Sequence, residues 1–216
     1  MKLLAVTDLH DHRDAPGRIL AAAPPVDIVL LGGDITNFGS PADAERLVRR
    51  VQAAGAPLLA VAGNCDSAEI EECLVGLGVS LFRRGEVRRG VGFHGLSAMP
   101  PWLRHMYQFP EDELAAHLAE GYAAIEGAQR HVVLSHTPPH GCKVDRTFLF
   151  RHVGSKALRT FVDEHQPDLV VCGHIHEARG VERIGRTLVV NCGSGAAGYY
   201  AVLELGQQIT VDIRRA

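Results

Sequence analysis

Short apolar runs that end in glycine or polar residues recur along the chain. Five of them, rich in aliphatic and β-branched residues, span residues 3–6, 28–31, 58–62, 132–134 and 169–172. Runs of this length with polar boundaries predict buried strands. Residues that can bind metals or take part in catalysis follow directly after each run. The pattern therefore predicts a sheet whose functional groups lie at the carboxyl ends of its strands.

Amphipathic stretches between these runs predict four helices. The first begins at Ser40, with a proline and then Asp43 in its first turn, and ends at Gly55. Such an N-terminus is typical of a capped helix. A second helix is predicted after Ser67, a third over about 111–126, and a fourth from near Ser155 to the residues before Pro167.

The C-terminal part of the sequence changes character. Residues 188–190, 199–205 and 209–213 are strand-like, and Gly206-Gln207 is a hairpin turn between the last two. A chain that alternates strands and helices and then continues in strands predicts an α/β fold, in which two packed sheets are flanked by helices. Residues 96–110 predict a loop. The whole chain, 1–216, is predicted to form one domain.

Composition limits the classes of function. The chain has 216 residues, is 46% hydrophobic and 22% charged, and carries a net charge of -3, so a long nucleic acid is not an expected partner. The five cysteines form no CxxC pair, which favours a reducing compartment. Neither a signal peptide nor an apolar membrane span is evident. We therefore expect a cytoplasmic protein without a membrane partner; a homo-oligomer remains open.

The residues that follow the predicted strands form a set of potential metal ligands. They comprise two carboxylates, one carboxamide and four imidazoles: Asp8, His10, Asp34, Asn64, His136, His174 and His176. Residues i and i+2 of an extended segment point the same way. The side chains of Asp8 and His10 can therefore point to one place, and so can those of His174 and His176. Mixed nitrogen and oxygen ligands suit Mn, Fe, Zn, Ni or Co better than Ca or Mg. Seven ligands exceed the needs of one ion, and two ions that share a carboxylate would use them all.

Several of these residues also allow a structural interpretation. Asp34 and Asn64 follow glycines and can be turn residues. His94 is interpreted as a hydrogen-bonded strand histidine, whereas His140 and His152 either line a pocket or lie on an ordinary surface. The aromatic residues Trp102, Tyr107 and Phe109 serve core packing, an oligomer contact or a lid that stacks on a base.

The motifs DxH, GGD, GN, H and GHxH occur in this order between Lys2 and about Leu205. In this they resemble the calcineurin-like metallophosphoesterase superfamily. Within it, the sequences at 32–37, 136–141 and 173–177 look closest to small bacterial and archaeal phosphoesterases. Those are related to the cyclic-nucleotide phosphodiesterases of the metallophosphoesterase-domain group. The resemblance implies a two-sheet sandwich with helices on both outer faces (αββα) and the metal site at the strand ends.

The resemblance also implies the ligand sets and the reaction. One ion would be held by Asp8, His10, Asp34 and His176, and the other by Asp34, Asn64, His136 and His174, with Asp34 as the bridge. We expect Mn, with Fe, Zn, Ni or Co as alternatives. The implied activity is hydrolysis of small phosphate esters, cyclic nucleotides among them, by attack of a metal-bound hydroxide on phosphorus. Asp34, Asn64 and His136 would be the catalytic residues.

One residue departs from the pattern of many relatives. Cys65 follows Asn64, where those relatives have a histidine that assists the leaving group. A thiol is a poor replacement for an imidazolium donor at neutral pH. We therefore expect esters with good leaving groups to react better than alkyl monoesters. The sequence Gly63-Asn64-Cys65-Asp66 also resembles that of some small bacterial phosphodiesterases, which favours a phosphodiesterase, and we expect Asn37, Cys65 and His140 to contact the substrate. A phosphomonoesterase and a non-catalytic metal-binding scaffold of the same fold are the alternatives.

Overall fold

The computed structural model describes all residues, Met1–Ala216, as two mixed sheets packed face to face. The strands are β1 (Lys2–Val6), β2 (Ile28–Gly32), β3 (Leu58–Val61), β4 (Gly85–Arg88), β5 (Val91–Leu96), β6 (Arg130–Ser135), β7 (Leu169–Cys172), β8 (Gly180–Ile184), β9 (Thr187–Asn191), β10 (Tyr199–Leu205) and β11 (Ile209–Arg215). The helices are α1 (Ala15–Ala22), α2 (Pro41–Gln52), α3 (Ala68–Gly76), α4 (Glu111–Ala123) and α5 (Lys156–His165).

Both sheets contain neighbouring parallel strands; the second has an antiparallel pair at each edge, and the first has antiparallel strands at its β11 edge only. The first has the order β11-β10-β1-β2-β3, and the second has the order β4-β5-β6-β7-β9-β8. Strands β1 to β3 run parallel to one another, as do β5, β6, β7 and β9. Parallel strands end at one edge of a sheet, so the residues that follow β1, β2, β3, β6 and β7 are brought to the same end of the sandwich.

Alternating side chains divide the core into three layers. Leu3 and Ala5 of β1 pack between the sheets, whereas Leu4 and Val6 face the helices α1–α3. A third apolar cluster joins the outer face of the second sheet to α4 and α5, through residues such as Val133 and Leu158. The period of two along a strand produces this division. The predicted fold class, two sheets flanked by helices, is confirmed.

The helix α2 shows why its sequence signal was strong. The Ser40 Oγ accepts a hydrogen bond from the Asp43 backbone N–H at 3.3 Å, and the Asp43 carboxylate accepts one from the Ser40 N–H at 3.0 Å. This reciprocal pair is a capping box. Leu47, Val48 and Val51 are buried as the apolar stripe predicts. The helix ends at Gln52, before Gly55, because the last turn tightens.

The helix α1 and the strands β4 and β8 were not predicted, and β5 was anticipated only through the interpretation of His94 as a strand residue. The strand β5 is fully buried, but its sequence VGFHGL contains two glycines and a histidine, which obscure a β-rich pattern. The predicted third helix was too long, since α4 ends at Ala123 and Ile125 packs into the core beyond its end. Residue 96 belongs to β5 rather than to the predicted loop.

The interpretation of His94 as a hydrogen-bonded strand residue is wrong in one respect. His94 lies in β5 and is fully buried, but neither ring nitrogen has a hydrogen-bond partner. Its ring instead contacts the rings of Phe161 and Tyr122, at centroid distances of 5.2 and 5.9 Å. Burial lowers the pKa of His94 to about 3, so the ring is neutral at physiological pH.

The predicted loop after β5 is pinned at both ends. The Ala98 N–H donates to the Ala62 carbonyl at 2.9 Å, and the Tyr107 N–H donates to the Asn64 carbonyl at 3.0 Å. The loop therefore covers the chain just beyond β3, where candidate ligand Asn64 lies. None of the five helices combines the length and the apolar character that crossing a membrane requires.

Candidate metal centre

The candidate ligands sit in strained turns just after the strands. Asp8, His10, Asp34 and His174 all have positive φ angles, of 57°, 45°, 46° and 65°. Such a conformation is uncommon for a residue with a side chain and persists where the surroundings enforce it. Here the neighbouring turns hold one another: the Asp8 N–H donates to the Gly33 carbonyl at 3.0 Å, and the His10 N–H donates to the Asp34 carbonyl at 2.9 Å.

Two glycines permit the close approach of these turns. A Cβ atom on Gly63 would lie 2.2 Å from both the backbone nitrogen and Oδ1 of Asp34. A Cβ atom on Gly173 would lie 2.2 Å from Oδ2 of Asp8. Any side chain at either position would displace a carboxylate of the centre. The glycines of the GN and GHxH motifs therefore have a direct steric role.

Two histidines and two aspartates form the accessible side of the cluster. The His176 Nε2 lies 3.3 Å from Oδ1 of Asp8, and the His10 Nε2 lies 3.7 Å from Oδ2 of Asp34. The histidine side chains are 23% (His10) and 42% (His176) exposed, whereas both aspartates are buried. Potential ligand atoms of Asp8, His10 and His176 lie within 4.8 Å of one another.

The remaining candidates form the enclosed side. The His136 Nε2 lies 2.8 Å from Oδ1 of Asn64 and 3.5 Å from Oδ1 of Asp34, and the His136 side chain is inaccessible to solvent. The ring of His174 packs against that of His136 with 5.0 Å between centroids. The structure thus brings all seven predicted residues into one cluster at the predicted edge of the sandwich.

The donor atoms fit divalent cations. The Nε2 of His174 is buried without a hydrogen-bond partner, and burial together with the neighbouring His136 lowers the pKa of His174 to about 3. At neutral pH this ring therefore presents a free lone pair, which is the form that binds metals. The pKa of Asp8 is also lowered: burial opposes the shift, but the hydrogen bond and charge of His176 outweigh it. Asp8 therefore remains a carboxylate.

His136 gives a second and independent indication of a cation. Its Nδ1 lies 3.1 Å from the carbonyl oxygen of Gly32, and its Nε2 lies 2.8 Å from the amide oxygen of Asn64. Both oxygens are hydrogen-bond acceptors. With Nδ1 donating to the Gly32 carbonyl, Nε2 of His136 and the amide oxygen of Asn64 would both be available to hold a cation. A backbone carbonyl that fixes the tautomer in this way is common behind metal-binding histidines.

Cys65 lies inside the cluster. The Asn64 Nδ2 donates to the Cys65 Sγ at 3.2 Å, and this sulfur lies within 4.8 Å of ligand atoms of His10 and Asp34. Burial and the charge of Asp34 raise the pKa of the thiol far above its ordinary value, so the thiol keeps its proton at neutral pH. The Cys65 backbone N–H also donates to Oδ1 of Asp34 at 2.7 Å.

The other two expected substrate contacts lie at the margin of the cluster. Asn37 is exposed three residues beyond Asp34, and its backbone N–H donates to the Asp11 carboxylate at 2.9 Å. His140 lies four residues beyond His136 and lines a cavity. That these side chains and Cys65 contact the substrate stays a prediction.

Asp66 is a residue of the site that sequence reasoning missed. Its buried carboxylate accepts hydrogen bonds from the backbone N–H groups of Ile35 (3.1 Å), Thr36 (2.8 Å) and Gly63 (2.8 Å), and from the Thr36 hydroxyl (2.9 Å). Asp66 thereby joins the turn that carries Asp34 to the turn that carries Asn64. Burial and the nearby Asp34 raise its pKa to about 7. The only sequence signal was an acid directly after Gly-Asn-Cys.

A two-sheet sandwich with this convergent set of donor groups has the character of a metal-dependent phosphoester hydrolase. A family model described as the calcineurin-like phosphoesterase superfamily domain matches residues 1–208. The chain therefore belongs to this superfamily, and the family predicted from the motifs is confirmed.

Known proteins resemble the chain over most of its length. An uncharacterised protein of Methanocaldococcus jannaschii is 29% identical over 198 residues, which cover 88% of this chain and 87% of that protein. The crystal structure of TT1561 of Thermus thermophilus superposes with a TM-score of 0.80 at 18% identity, covering 99% of this chain and 98% of that one. A dimetal phosphatase from Danio rerio has a TM-score of 0.66 at 12% identity, covering 100% and 96%. At these identities the structures support the fold alone.

Proposed function

We propose that this protein is a dinuclear metal-dependent phosphodiesterase that hydrolyses small phosphate esters. The observation that carries the proposal is the convergence of seven candidate ligands, among which His174 has a buried nitrogen without a partner. Membership of a phosphoesterase family supports hydrolysis of a phosphate ester as the reaction. Seven candidate ligands exceed the needs of one ion, which supports two ions rather than one.

The proposed roles follow the geometry. Asp8, His10 and His176 would hold one ion, Asn64, His136 and His174 would hold the other, and Asp34 would contribute to both because its two carboxylate oxygens face different histidines. When bound, such a pair of cations supplies positive charge for phosphate oxygens and makes water more acidic. We propose manganese as the first metal to test.

The chain's own residues favour a diester. Cys65 lies where many relatives have the histidine that assists the leaving group, and its raised pKa leaves it a protonated, weak donor. An ester whose leaving group departs without a strong proton donor is therefore the better substrate. We propose esters with good leaving groups ahead of alkyl monoesters, and we propose phosphodiesters, cyclic nucleotides among them, because the sequence Gly63-Asn64-Cys65-Asp66 resembles that of small bacterial phosphodiesterases.

Turnover of bis(4-nitrophenyl) phosphate with added Mn²⁺ tests the proposal. We expect Asn64→Ala to lower kcat/KM by more than about 100-fold and to lose bound metal, because loss of a direct ligand exceeds the effect of residues behind it. Asn37→Ala, which removes an exposed amide at the same sheet edge, is the matched control and should retain its metal.

Two outcomes would change the assignment. Absence of turnover with each of Mn, Fe, Zn, Ni and Co would favour the non-catalytic scaffold. A comparison of 2′,3′-cyclic nucleotides, 3′,5′-cyclic nucleotides and monoesters then ranks the substrate classes. Faster hydrolysis of alkyl monoesters than of any diester would contradict the preference inferred from Cys65.

A further inference from the structure

A cavity of about 720 Å³ is lined by residues that follow candidate ligands His136 and His176 along the chain. One wall carries Glu177, which directly follows candidate ligand His176, and another carries His140, four residues beyond candidate ligand His136. A volume of this size matches that of pockets that enclose small organic molecules. The cavity is therefore bordered by the two chain segments that leave His136 and His176, and none of the seven candidate ligands lines it.

The segment 140–154 that forms this cavity is fixed to the metal-site loop. The Asn191 Nδ2 donates to the carbonyls of Gly173 (3.2 Å), Ile175 (2.9 Å) and Val144 (3.1 Å), which joins the GHxH loop to this segment. The Phe148 N–H also donates to the Glu177 carboxylate at 3.0 Å. The position of the cavity relative to the candidate ligands is therefore set by the fold.

A buried carboxylate stiffens the same segment from within. Asp145 is fully buried and accepts hydrogen bonds from the backbone N–H groups of Gly141 (2.9 Å) and Gly154 (3.3 Å). It also accepts one from Nδ1 of His152, whose ring lines the cavity. A cavity shaped before its ligand arrives loses less entropy on binding than one that must order itself.

Large apolar side chains are exposed around the cavity. Trp102 is 60% exposed, Phe148 is 81% exposed and Leu149 is 77% exposed, and all three line it. They lie on two different loops, one covering Asn64 and the other docked on the GHxH loop. Aromatic side chains from two loops that line one cavity offer flat apolar surfaces for a planar ring.

We propose that this cavity binds a planar aromatic group of the ester substrate while the metal centre holds its phosphate. Trp102 and Phe148 are the specificity-determining residues. The inference rests on the proposed function and adds a substrate class to it: aryl or nucleoside esters are bound in preference to small alkyl esters. The polar groups of His140, His152 and Arg151 at the cavity suit a ring that carries hydrogen-bonding atoms.

The test compares two ligands that share one phosphonate group, phenylphosphonate and methylphosphonate, by calorimetry on the Mn²⁺-loaded full-length protein. We expect phenylphosphonate to bind about tenfold more tightly than methylphosphonate, because one face of its phenyl ring would be buried in the cavity. Trp102 is the sole tryptophan of the chain, so quenching of its fluorescence by phenylphosphonate reports the same event at the cavity.

Matched variants test whether the preference for phenylphosphonate over methylphosphonate arises in the cavity. Trp102→Ala and Phe148→Ala should each reduce the affinity ratio to about twofold or less. Leu103→Ala and Phe150→Ala remove neighbouring exposed apolar side chains that do not line the cavity, and should leave the ratio unchanged. A fall in the ratio with Phe150→Ala equal to that with Phe148→Ala would overturn the assignment.

Turnover of bis(4-nitrophenyl) phosphate by the same preparations separates the two proposals. Active protein that binds both phosphonates equally would overturn the cavity assignment and leave the proposed hydrolysis standing. Inactive protein that keeps the tenfold preference would overturn the proposed hydrolysis and leave the cavity assignment standing. Failure to bind either phosphonate would overturn both.

Discussion

The candidate ligands divide into two groups that differ in their exposure. The enclosed group is Asn64, His136 and His174: the first two are buried, and Nε2 of the half-buried His174 is inaccessible to solvent. The open group consists of His10 and His176, whose side chains are 23% and 42% exposed. A ligand that is packed on all sides has its geometry fixed before a metal arrives, whereas an exposed one acquires it on binding.

The supports behind the two groups differ in the same way. The enclosed group is held by the loop after β5, through the Tyr107 N–H to the Asn64 carbonyl, and by the Gly32 carbonyl against Nδ1 of His136. In the open group, His176 begins a single 3₁₀ turn over His176–Ala178. We therefore expect a cation on the enclosed side to be retained more strongly than a cation on the open side.

The largest expected effect comes from replacing one histidine of each group, in separate variants, with alanine. His136→Ala should lower kcat/KM by more than about 100-fold at any manganese concentration, because it removes a preorganised ligand and leaves buried acceptors unpaired. His176→Ala should lower it about tenfold at saturating manganese and more at limiting manganese. Titration of activity with Mn²⁺ and metal analysis after gel filtration would measure both.

The two variants also differ in stability. We expect His136→Ala to lower the free energy of unfolding of the metal-free protein by about 1–3 kcal/mol, and His176→Ala to lower it by about 1 kcal/mol, because the latter removes a partly exposed partner of the buried Asp8 carboxylate. Urea unfolding in the presence of a chelator provides the comparison. Equal losses of activity and equal metal retention in both variants would contradict the division into an enclosed and an open group.

A substitution of Asp66 tests whether the enclosed group depends on the hydrogen bonds that join the turns behind it. Asp66→Asn retains the size of the side chain but replaces an acceptor oxygen with a donor NH₂, which then faces backbone N–H groups of Ile35, Thr36 or Gly63. We expect a 10- to 100-fold loss of activity, roughly the effect of residues that orient metal ligands. Metal analysis should show weaker retention, and excess Mn²⁺ should restore part of the rate. Full activity at limiting Mn²⁺ would remove Asp66 from the positioning role.

Much of this arrangement could be predicted because the signals were local. Each candidate ligand directly follows an apolar strand, and parallel strands end together, so the position of Asp8, Asp34 and His136 along the sequence determined where they meet. The helix α2 was clear because Ser40 and Asp43 cap it through contacts three residues apart. Local pattern and global fold agree at these places.

The features that were missed depend on distant contacts. Asp66 has a role only because the turn after β2 lies against the turn after β3, with 30 residues between them along the chain. The cavity is formed by the loop that carries Trp102 and by the segment 140–154, which no periodicity connects. His94 is enclosed by α4 and α5, and its environment could not be inferred from the sequence of β5. Tertiary packing determined each of these.

The smallest expected effect comes from a buried carboxyl group outside the centre, which shows whether burial alone alters metal binding. Glu71 of α3 accepts a hydrogen bond from the Ser80 hydroxyl at 2.6 Å, its Oε2 is buried without a partner, and burial raises its pKa. The folded state therefore favours the protonated form of Glu71, and the free energy of unfolding decreases as the pH rises through the raised pKa.

We expect Glu71→Gln to be more stable than the wild type by about 1 kcal/mol near neutral pH, with the difference disappearing in acid. Urea unfolding across this range would measure it, with the exposed neighbour substitution Glu72→Gln as the control. Unchanged manganese retention in Glu71→Gln would show that metal retention by the enclosed group arises from its own contacts. Weakened retention would mean that the whole buried layer behind β3 contributes to metal retention.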